Sequence, residues 1–314
     1  MKKLKIGIIG VGRLGYEHAC NIANRVPGSK LVAIADANFD RAKQVAEELG
    51  VTAVYNDPKA LCADPNVEAV AIITNTASHV EMIKIAMDAG KHVFCEKPLA
   101  DTVEKCKEAE AIIAAHPELT FMLGFMRRYD HSYQVAKKKM ENGDIGDVIL
   151  VRCYSQDPIS IIEGTLEYAP RSGGQFIDMS IHDFDLIRWL TGSEVKELWA
   201  TGGCYEFKQY KDWDDGDNVS GLMKMENDAM AFFFAGRAAA HGSHVETEIV
   251  STRGTLRIAS VPTDSLVEVM SQHGVCRECY QDFITRWHDA YITEIEEFCD
   301  CVATGRKATP GVID

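Results

Sequence analysis

Asp178, His182 and Asp185 stand at i, i+4 and i+7 in a run otherwise dominated by Phe176, Ile177, Met179, Ile181, Phe184, Leu186, Ile187, Trp189 and Leu190. On one helix that spacing gathers the three ionisable groups into a single stripe. A helix apolar on most sides is buried. Two carboxylates and an imidazole are costly to bury unless they are paired or line a cavity where polar chemistry takes place. The chemistry such a set supports is proton transfer, because an imidazole with an ordinary pKa of about 6.5 exchanges a proton near neutral pH. Gly173 and Gly174 precede the run and Gly192 supplies its stop. The same residues also fit a plainer role, with Asp178 capping the helix and His182 hydrogen-bonded in a core.

The elements that would position this segment fall into two textures. In the first, the apolar run Leu4 to Ile9 leads into Gly10-Val11-Gly12-Arg13-Leu14-Gly15 and then a helical stretch from Tyr16 to about Val26. Strand, glycine turn and helix in that order let the backbone approach a pyrophosphate and present helix N-terminal N–H groups to its charge. A second apolar run, Leu31 to Ala35, ends at Asp36, which lies 21 residues beyond Gly15. An acidic side chain there accepts hydrogen bonds from adenosine ribose hydroxyls and repels a 2′-phosphate, which favours NAD over NADP. Arg41, the nearest following arginine, falls inside the next helix. Asp36 also fits a strand-end turn.

The alternation continues through the strand Ala69 to Ile73, a loop from Thr74 to Ser78, a helix from about His79 to Ala89 and the strand Val93 to Cys95. Strands alternating with helices imply a doubly wound parallel sheet. Ligands sit outside the carboxyl ends of such strands, so Asn75, Thr76, His79, Glu96 and Lys97 are expected to border one crevice. Turn and capping chemistry accounts equally well for Asn75, Thr76 and His79. Pro98 restricts Lys97 to extended geometry and holds it in a fixed direction.

The second texture begins at Gly124, where β-rich runs replace the alternation. Val148 to Ser155, Val195 to Tyr205, Val219 to Met225, Ala229 to Ala235, Val245 to Val250 and Thr255 to Ile258 read as strands, several joined by short turns. The expected fold class is therefore α/β: an N-terminal Rossmann domain over 1–123, and over 124–314 a C-terminal α+β domain for substrate binding and oligomerisation, built on a large, mostly antiparallel open sheet. One sheet face would carry the Asp178–His182 segment, and the other is a candidate interface between copies of the chain.

With 314 residues, the chain has length for about two domains. A formal charge of -14 leaves no basic stripe for nucleic acid. No apolar run reaches the roughly 18 residues of a membrane span, and the N-terminal run is broken by glycines and Arg13, so a cytoplasmic location is expected. The ten cysteines read as reduced core residues. Cys276 with Cys279, and Cys299 with Cys301, lack a second pair at zinc-ligand spacing, so no metal is expected.

Gly10-x-Gly12-x-x-Gly15, Asp36, Glu96-Lys97-Pro98, Phe125-Met126-Arg127-Arg128-Tyr129-Asp130 and Gly173-Gly174-x-Phe176-x-Asp178-x-x-x-His182-Asp183-x-Asp185 together resemble the Gfo/Idh/MocA oxidoreductase family, its inositol dehydrogenases most of all. The resemblance covers nearly the whole chain. It implies oxidation of a secondary hydroxyl of a cyclic polyol, first among them myo-inositol, with hydride passing to NAD. Related cyclitols or aldoses, or a non-catalytic NAD-binding sensor, are the alternatives. By motif, His182 would be the general base, Lys97 would hydrogen-bond the reacting oxygen, and Asp178 would orient the substrate hydroxyl and the catalytic groups. Arg127 would line the polyol site or tie the domains by a salt bridge. Gly10, Gly12, Arg13, Leu14, Gly15, Asp36, Asn75, Thr76, His79, Glu96 and Lys97 would hold the cofactor.

Two departures from the family pattern stand out. Ser155-Gln156-Asp157 replaces a His-x-Asn pair found in some inositol dehydrogenases, so Asp157 is expected to face the substrate with a different donor and acceptor pattern. His241 and His244 are further pocket candidates that also fit ordinary strand ends. At the other departure, the chain stops at Asp314, where family members continue into a final helix. The family also implies a homo-oligomer, with a tetramer expected.

Overall fold

The computed structural model describes residues 2–259, 263–265, 267–272 and 274–314. They divide into two compact units, 2–129 with 289–314, and 130–288.

The first unit runs β1 (Leu4–Ile9), α1 (Arg13–Cys20), β2 (Ser29–Ala35), α2 (Phe39–Leu49), β3 (Ala53–Tyr55), α3 (Pro58–Ala63), β4 (Ala69–Ile72), α4 (His79–Asp88), β5 (His92–Glu96), α5 (Val103–Ala114) and β6 (Phe121–Gly124). The strands form one parallel sheet in the order β3-β2-β1-β4-β5-β6. Ile6, Ile8, Ile34, Val70 and Phe94 are fully buried in it, as near-continuous apolar strands covered on both faces require. Helix starts follow side-chain capping: Asn38, Asp57 and Thr102 each accept a backbone N–H from the first turn that follows. The strand order reverses between β1 and β4, which is where a doubly wound sheet opens its ligand crevice.

These units differ from the 1–123 and 124–314 division expected from sequence. The chain returns to the first unit with the last part of its C-terminal helix (Phe283–Thr304). Tyr291 packs edge-on against His18 at 5.3 Å, and Phe298 lies 6.0 Å from Phe94. The tail is pinned as well: Leu123 N–H donates to the Pro310 carbonyl at 3.1 Å, the Tyr129 hydroxyl to that of Thr309 at 2.6 Å, and Arg128 pairs with Asp314 at 2.8 Å. The sequence pattern offers no sign of this return, because it depends on contacts between residues some 180 positions apart.

The second unit contains α6 (His131–Glu141), β7 (Val148–Pro158), α7 (Ile162–Tyr168), α8 (Gln175–Asp178), α9 (Ile181–Thr191), β8 (Val195–Gly203), β9 (Asn218–Met225), β10 (Met230–Ala239), β11 (His244–Ser251) and β12 (Gly254–Ile258). Its six-stranded sheet has the order β12-β11-β7-β10-β9-β8. Every neighbouring pair is antiparallel except β7 with β10. Both of these strands run past their expected ends, to Pro158 and Ala239, and so carry Asp157 and Arg237 at their carboxyl ends.

The single helix expected to hold Asp178, His182 and Asp185 is corrected by the structure. Met179 and Ser180 separate α8 from α9, placing Asp178 last in the first helix and His182 second in the next. The cause is local. The Asp215 carboxylate accepts the Gln175 N–H at 3.0 Å, anchoring α8 as a turn of its own, while the Ser180 carbonyl begins the α9 ladder by accepting from Phe184 at 2.9 Å. Gly174 has φ +89°, a left-handed backbone that disfavours any side chain, and a Cβ there would meet the Asp215 carboxylate at 3.4 Å.

Candidate active site

At the β1–α1 turn, a Cβ on Gly15 would fall 2.1 Å from the Gly10 carbonyl oxygen, and one on Gly10 would fall 2.4 Å from that of Ile73. Glycine is therefore required at both for helix and strand to pack. A Cβ on Gly12 would meet nothing within 4 Å. Gly12 and Arg13 are exposed at the start of α1, Leu14 is half-buried, and the open side is where a pyrophosphate approaches such a turn.

Asp36 accepts the Val11 N–H at 2.7 Å on Oδ2 and the Asn38 N–H at 2.7 Å on Oδ1. It thus braces the glycine turn, and each oxygen keeps a lone pair for a ribose hydroxyl. Arg41 reaches the same turn: its Nε donates to the Val11 carbonyl at 3.1 Å and its guanidinium covers the Tyr16 ring at 5.0 Å. After β4, Asn75 is exposed and Thr76 is buried.

His79 and Glu96 face inward rather than into a crevice. His79 is 1% exposed, with Nδ1 2.8 Å from the Pro98 carbonyl and Nε2 3.2 Å from that of Thr74. Burial pushes its imidazole below the ordinary value, against the pull of the two carbonyls. It therefore acts as a strut between the loop after β4 and the turn that carries Lys97, the neutral ring donating to one of the two carbonyls. Glu96 Oε1 meets His18 Nε2 at 2.9 Å, and its Oε2 accepts the Lys97 N–H at 3.1 Å. Lys97 follows directly on β5 in a cis peptide with Pro98. Arg127 is buried in the short turn Met126–Tyr129 after β6.

In the second unit the centre of the site is Arg237, which is not among the residues expected from sequence. Its guanidinium is 5% exposed and bridges two carboxylates, Asp157 Oδ2 at 3.0 Å from Nη1 and Asp178 Oδ2 at 2.5 Å from Nη2. The parallel β7–β10 pairing produces this arrangement: Gly236 is in register with Gln156 and Ala239 with Pro158, and Asp157 and Arg237 fall side by side at the irregularity between those two pairs. Burial alone would lower the Arg237 pKa, but the charges of Asp178 and Asp157 more than reverse it and raise the pKa above its ordinary value. Each carboxylate thus accepts a charge-assisted hydrogen bond from the guanidinium. A lone arginine closing the apolar run Met230 to Ala235 is the one signal of it that the sequence offers.

Tyr210 completes this cluster. It is fully buried, and its hydroxyl has no hydrogen-bond partner among the described residues. Burial, opposed by Arg237 and aided by Asp215, Asp178 and Asp157, pushes its pKa up to about 12, so it stays a neutral donor. His182 is 6% exposed at the start of α9. Its neighbour Asp183 accepts the Ser155 hydroxyl at 2.7 Å, which ties α9 to β7. His241 and His244 form a chain instead, Nε2 to Nδ1 at 3.2 Å and onward from His244 to Glu246 at 3.3 Å, with the Tyr154 ring stacked on His244.

Removing the cation while keeping a buried apolar stem, Arg237→Leu, leaves two carboxylates facing each other across the site. Breaking a buried pair in this way costs roughly 3 kcal/mol, which urea unfolding of the variant is expected to show as a lower midpoint. An unchanged midpoint would mean that the clamp contributes nothing to the fold.

Residues 4–125 match the family model described as an oxidoreductase family with an NAD-binding Rossmann fold, and residues 133–257 match the GFO/IDH/MocA C-terminal domain. Over 314 residues the chain is 34% identical to a scyllo-inositol 2-dehydrogenase (NAD(+)) of Bacillus subtilis, covering 99% of this chain and 89% of that protein. The crystal structure of scyllo-inositol dehydrogenase from Lactobacillus casei with bound NAD(H) and scyllo-inositol superposes with a TM-score of 0.95 at 40% identity, over 99% of this chain and 92% of that one. Myo-inositol 2-dehydrogenase from Lactobacillus plantarum gives 0.96 at 38% identity, over 99% and 93%. The chain belongs to the Gfo/Idh/MocA oxidoreductase family.

Proposed function

We propose that this protein is an NAD-dependent inositol 2-dehydrogenase, which oxidises a secondary hydroxyl of an inositol to the ketone, with myo-inositol giving 2-keto-myo-inositol as the leading reaction and scyllo-inositol as the nearest alternative. The observation that carries the reading is the Asp157–Arg237–Asp178 clamp. It presents two carboxylates, bridged by one guanidinium from the end of β10, to a ligand rich in hydroxyl donors. Relatives named for both isomers match the chain about equally well, at 40% and 38% identity.

In this reading Gly10, Gly12, Arg13, Leu14 and Gly15 receive the pyrophosphate, Asp36 the ribose hydroxyls, and Asn75 and Thr76 line the same cofactor. NAD supplies a hydride acceptor. His182 accepts the hydroxyl proton, the Lys97 ammonium hydrogen-bonds the oxygen as negative charge develops, and Asp178, held by Arg237, orients the hydroxyl. Asp157 accepts from a neighbouring ring hydroxyl, and Arg127 contributes donors to the polyol. His79 and Glu96 act behind these groups, through the loops they hold.

Titration calorimetry with NAD and NADP tests the cofactor assignment. NAD is expected to bind at least about tenfold more tightly, and Asp36→Ala to narrow the gap by a similar factor, because an added 2′-phosphate next to Asp36 costs on the order of 1 to 2 kcal/mol. Equal affinities in the unaltered protein would contradict it.

The outer face of the second sheet supports self-association. Trp199, Leu222 and Phe232 are in register across β8, β9 and β10, with Trp199 64% and Leu222 54% exposed. Large apolar side chains in a row on an open sheet mark an interface. We assign a homotetramer, for which light scattering is expected to give about four times the 34.7 kDa chain mass.

A further inference from the structure

Inside the first unit, His18 from α1, Glu96 from β5 and Glu294 from the C-terminal helix converge, none more than 5% exposed. One nitrogen or oxygen from each lies within 4.8 Å of the others. Their surroundings are aromatic, with Phe94 and Tyr291 against the His18 ring at 5.6 and 5.3 Å and Phe298 behind Phe94. The three groups are not equally served. Glu96 meets His18 Nε2 at one oxygen and accepts the Lys97 N–H on the other. Glu294 is fully buried, and neither of its oxygens has a hydrogen-bond partner among the described residues. His18 Nε2 approaches it only to 3.9 Å, and that atom is already bound to Glu96. Tyr129, the titratable group facing Glu294 from the turn after β6, is a neutral phenol with its hydroxyl on the Thr309 carbonyl.

With both carboxylates ionised the pocket would hold a net negative charge even if His18 were protonated. A fully buried carboxylate without donors takes up a proton rather than bear that cost. Since both Glu96 oxygens have hydrogen-bond partners, one of them the Lys97 N–H, and neither Glu294 oxygen has any among the described residues, Glu294 is the group that must hold the proton. We propose that Glu294 is a carboxylic acid that stays protonated at neutral pH, and that with His18 it is a positioning residue for Lys97, holding Glu96 as the anion that fixes the Glu96–Lys97 turn. Burial, and after it the Glu96 charge, push the Glu294 carboxyl well above the ordinary range. The seat of Glu96 is shaped for it too: a Cβ on Gly124, its register partner on β6, would come within 3.1 Å of the Glu96 carboxyl carbon.

The state of Glu294 is tested without reference to turnover; the consequence for Lys97 rests on the dehydrogenase reading. An infrared difference spectrum of the whole protein, unaltered minus Glu294→Gln, is expected to show a carboxylic-acid carbonyl band at neutral pH. Glu294→Gln, a neutral group of the same shape, is expected to melt within a few degrees of the unaltered protein at neutral pH. A carboxyl whose folded pKa is raised contributes stability fully present below its unfolded value and lost as pH rises through the folded one. The unaltered protein should thus lose stability on the alkaline side relative to Glu294→Gln. His18→Ala should lower kcat roughly ten- to a hundredfold with little change in the KM for NAD, through the displaced turn.

No acid band at neutral pH would overturn the proposal, as would one tightly held equivalent of a divalent cation in the purified protein, since a cation needs both carboxylates ionised. Normal kcat in His18→Ala would overturn the positioning role. Should the substituted chains fail to fold, pH titration of the band in the unaltered protein still decides. A missing band with intact turnover defeats this proposal alone, whereas a band without any turnover supports the protonated acid and defeats the dehydrogenase reading instead.

Discussion

His182→Ala is expected to lower kcat for inositol oxidation by about 10² to 10⁴, the range that a positioned general base contributes, while changing NAD affinity less than about twofold. The expectation follows from where His182 stands. It opens α9 one residue before Asp183, whose carboxylate is tied to β7 through Ser155, so the backbone carrying the imidazole is held against the sheet. Losing the imidazole removes the proton acceptor and leaves the fold and the glycine turn in place. Protonation of a base also disables it. The unaltered enzyme should therefore lose kcat/KM as pH falls, and the residual activity of His182→Ala should lack that acid limb. A pH–rate profile of both proteins reads the difference, and an acid limb retained in the variant would remove His182 from the role.

Lys97→Met keeps the length and apolar stem of the side chain and removes its charge and donors. A fall in kcat of about 10² to 10³ is expected, the cost of losing one electrostatic donor to a developing oxyanion. Lys97→Arg should recover only part of it, because a planar fork does not reproduce the point charge of an ammonium. Steady-state kinetics with saturating NAD measure this directly. If Lys97→Met changed only the KM for polyol and left kcat near normal, the lysine would be a binding group and the oxyanion role would fall. The two substitutions need not add, since both act on one proton and one oxygen.

Much of this site is legible in the amino-acid sequence. The Gly10–Gly15 turn, Asp36 and the strand ends at Asn75 and Lys97 are local features: each depends on residues a few positions apart whose conformational limits are strong. The parallel pairing of the first sheet follows from the same alternation. The six strands of the second sheet are legible from apolar runs and turns, except that β7 and β10 run longer and pair in parallel. That pairing brings together Asp157 and Arg237, 80 residues apart, and no periodicity encodes it.

Helical spacing puts Asp178, His182 and Asp185 on one stripe because spacing cannot register a break that Asp215, forty positions away, imposes on α8. Position after a strand places His79 and Glu96 at the crevice, whereas their side chains turn inward to carbonyls and to His18. Glu294 carries no signal at all in the sequence. It is one carboxylate in an acidic helical run, and only the fold shows that it is fully buried beside His18.

The coupling of inositol oxidation to NAD reduction is measured most directly by NADH absorbance with NAD, then NADP, against myo-, scyllo- and chiro-inositol and a set of aldoses. NADH is expected to form with myo- or scyllo-inositol, faster with NAD than with NADP, and at least about a hundredfold more slowly in Lys97→Met and His182→Ala. Tight NAD binding with no reduction by any inositol or aldose would contradict the assignment of this protein as an inositol dehydrogenase.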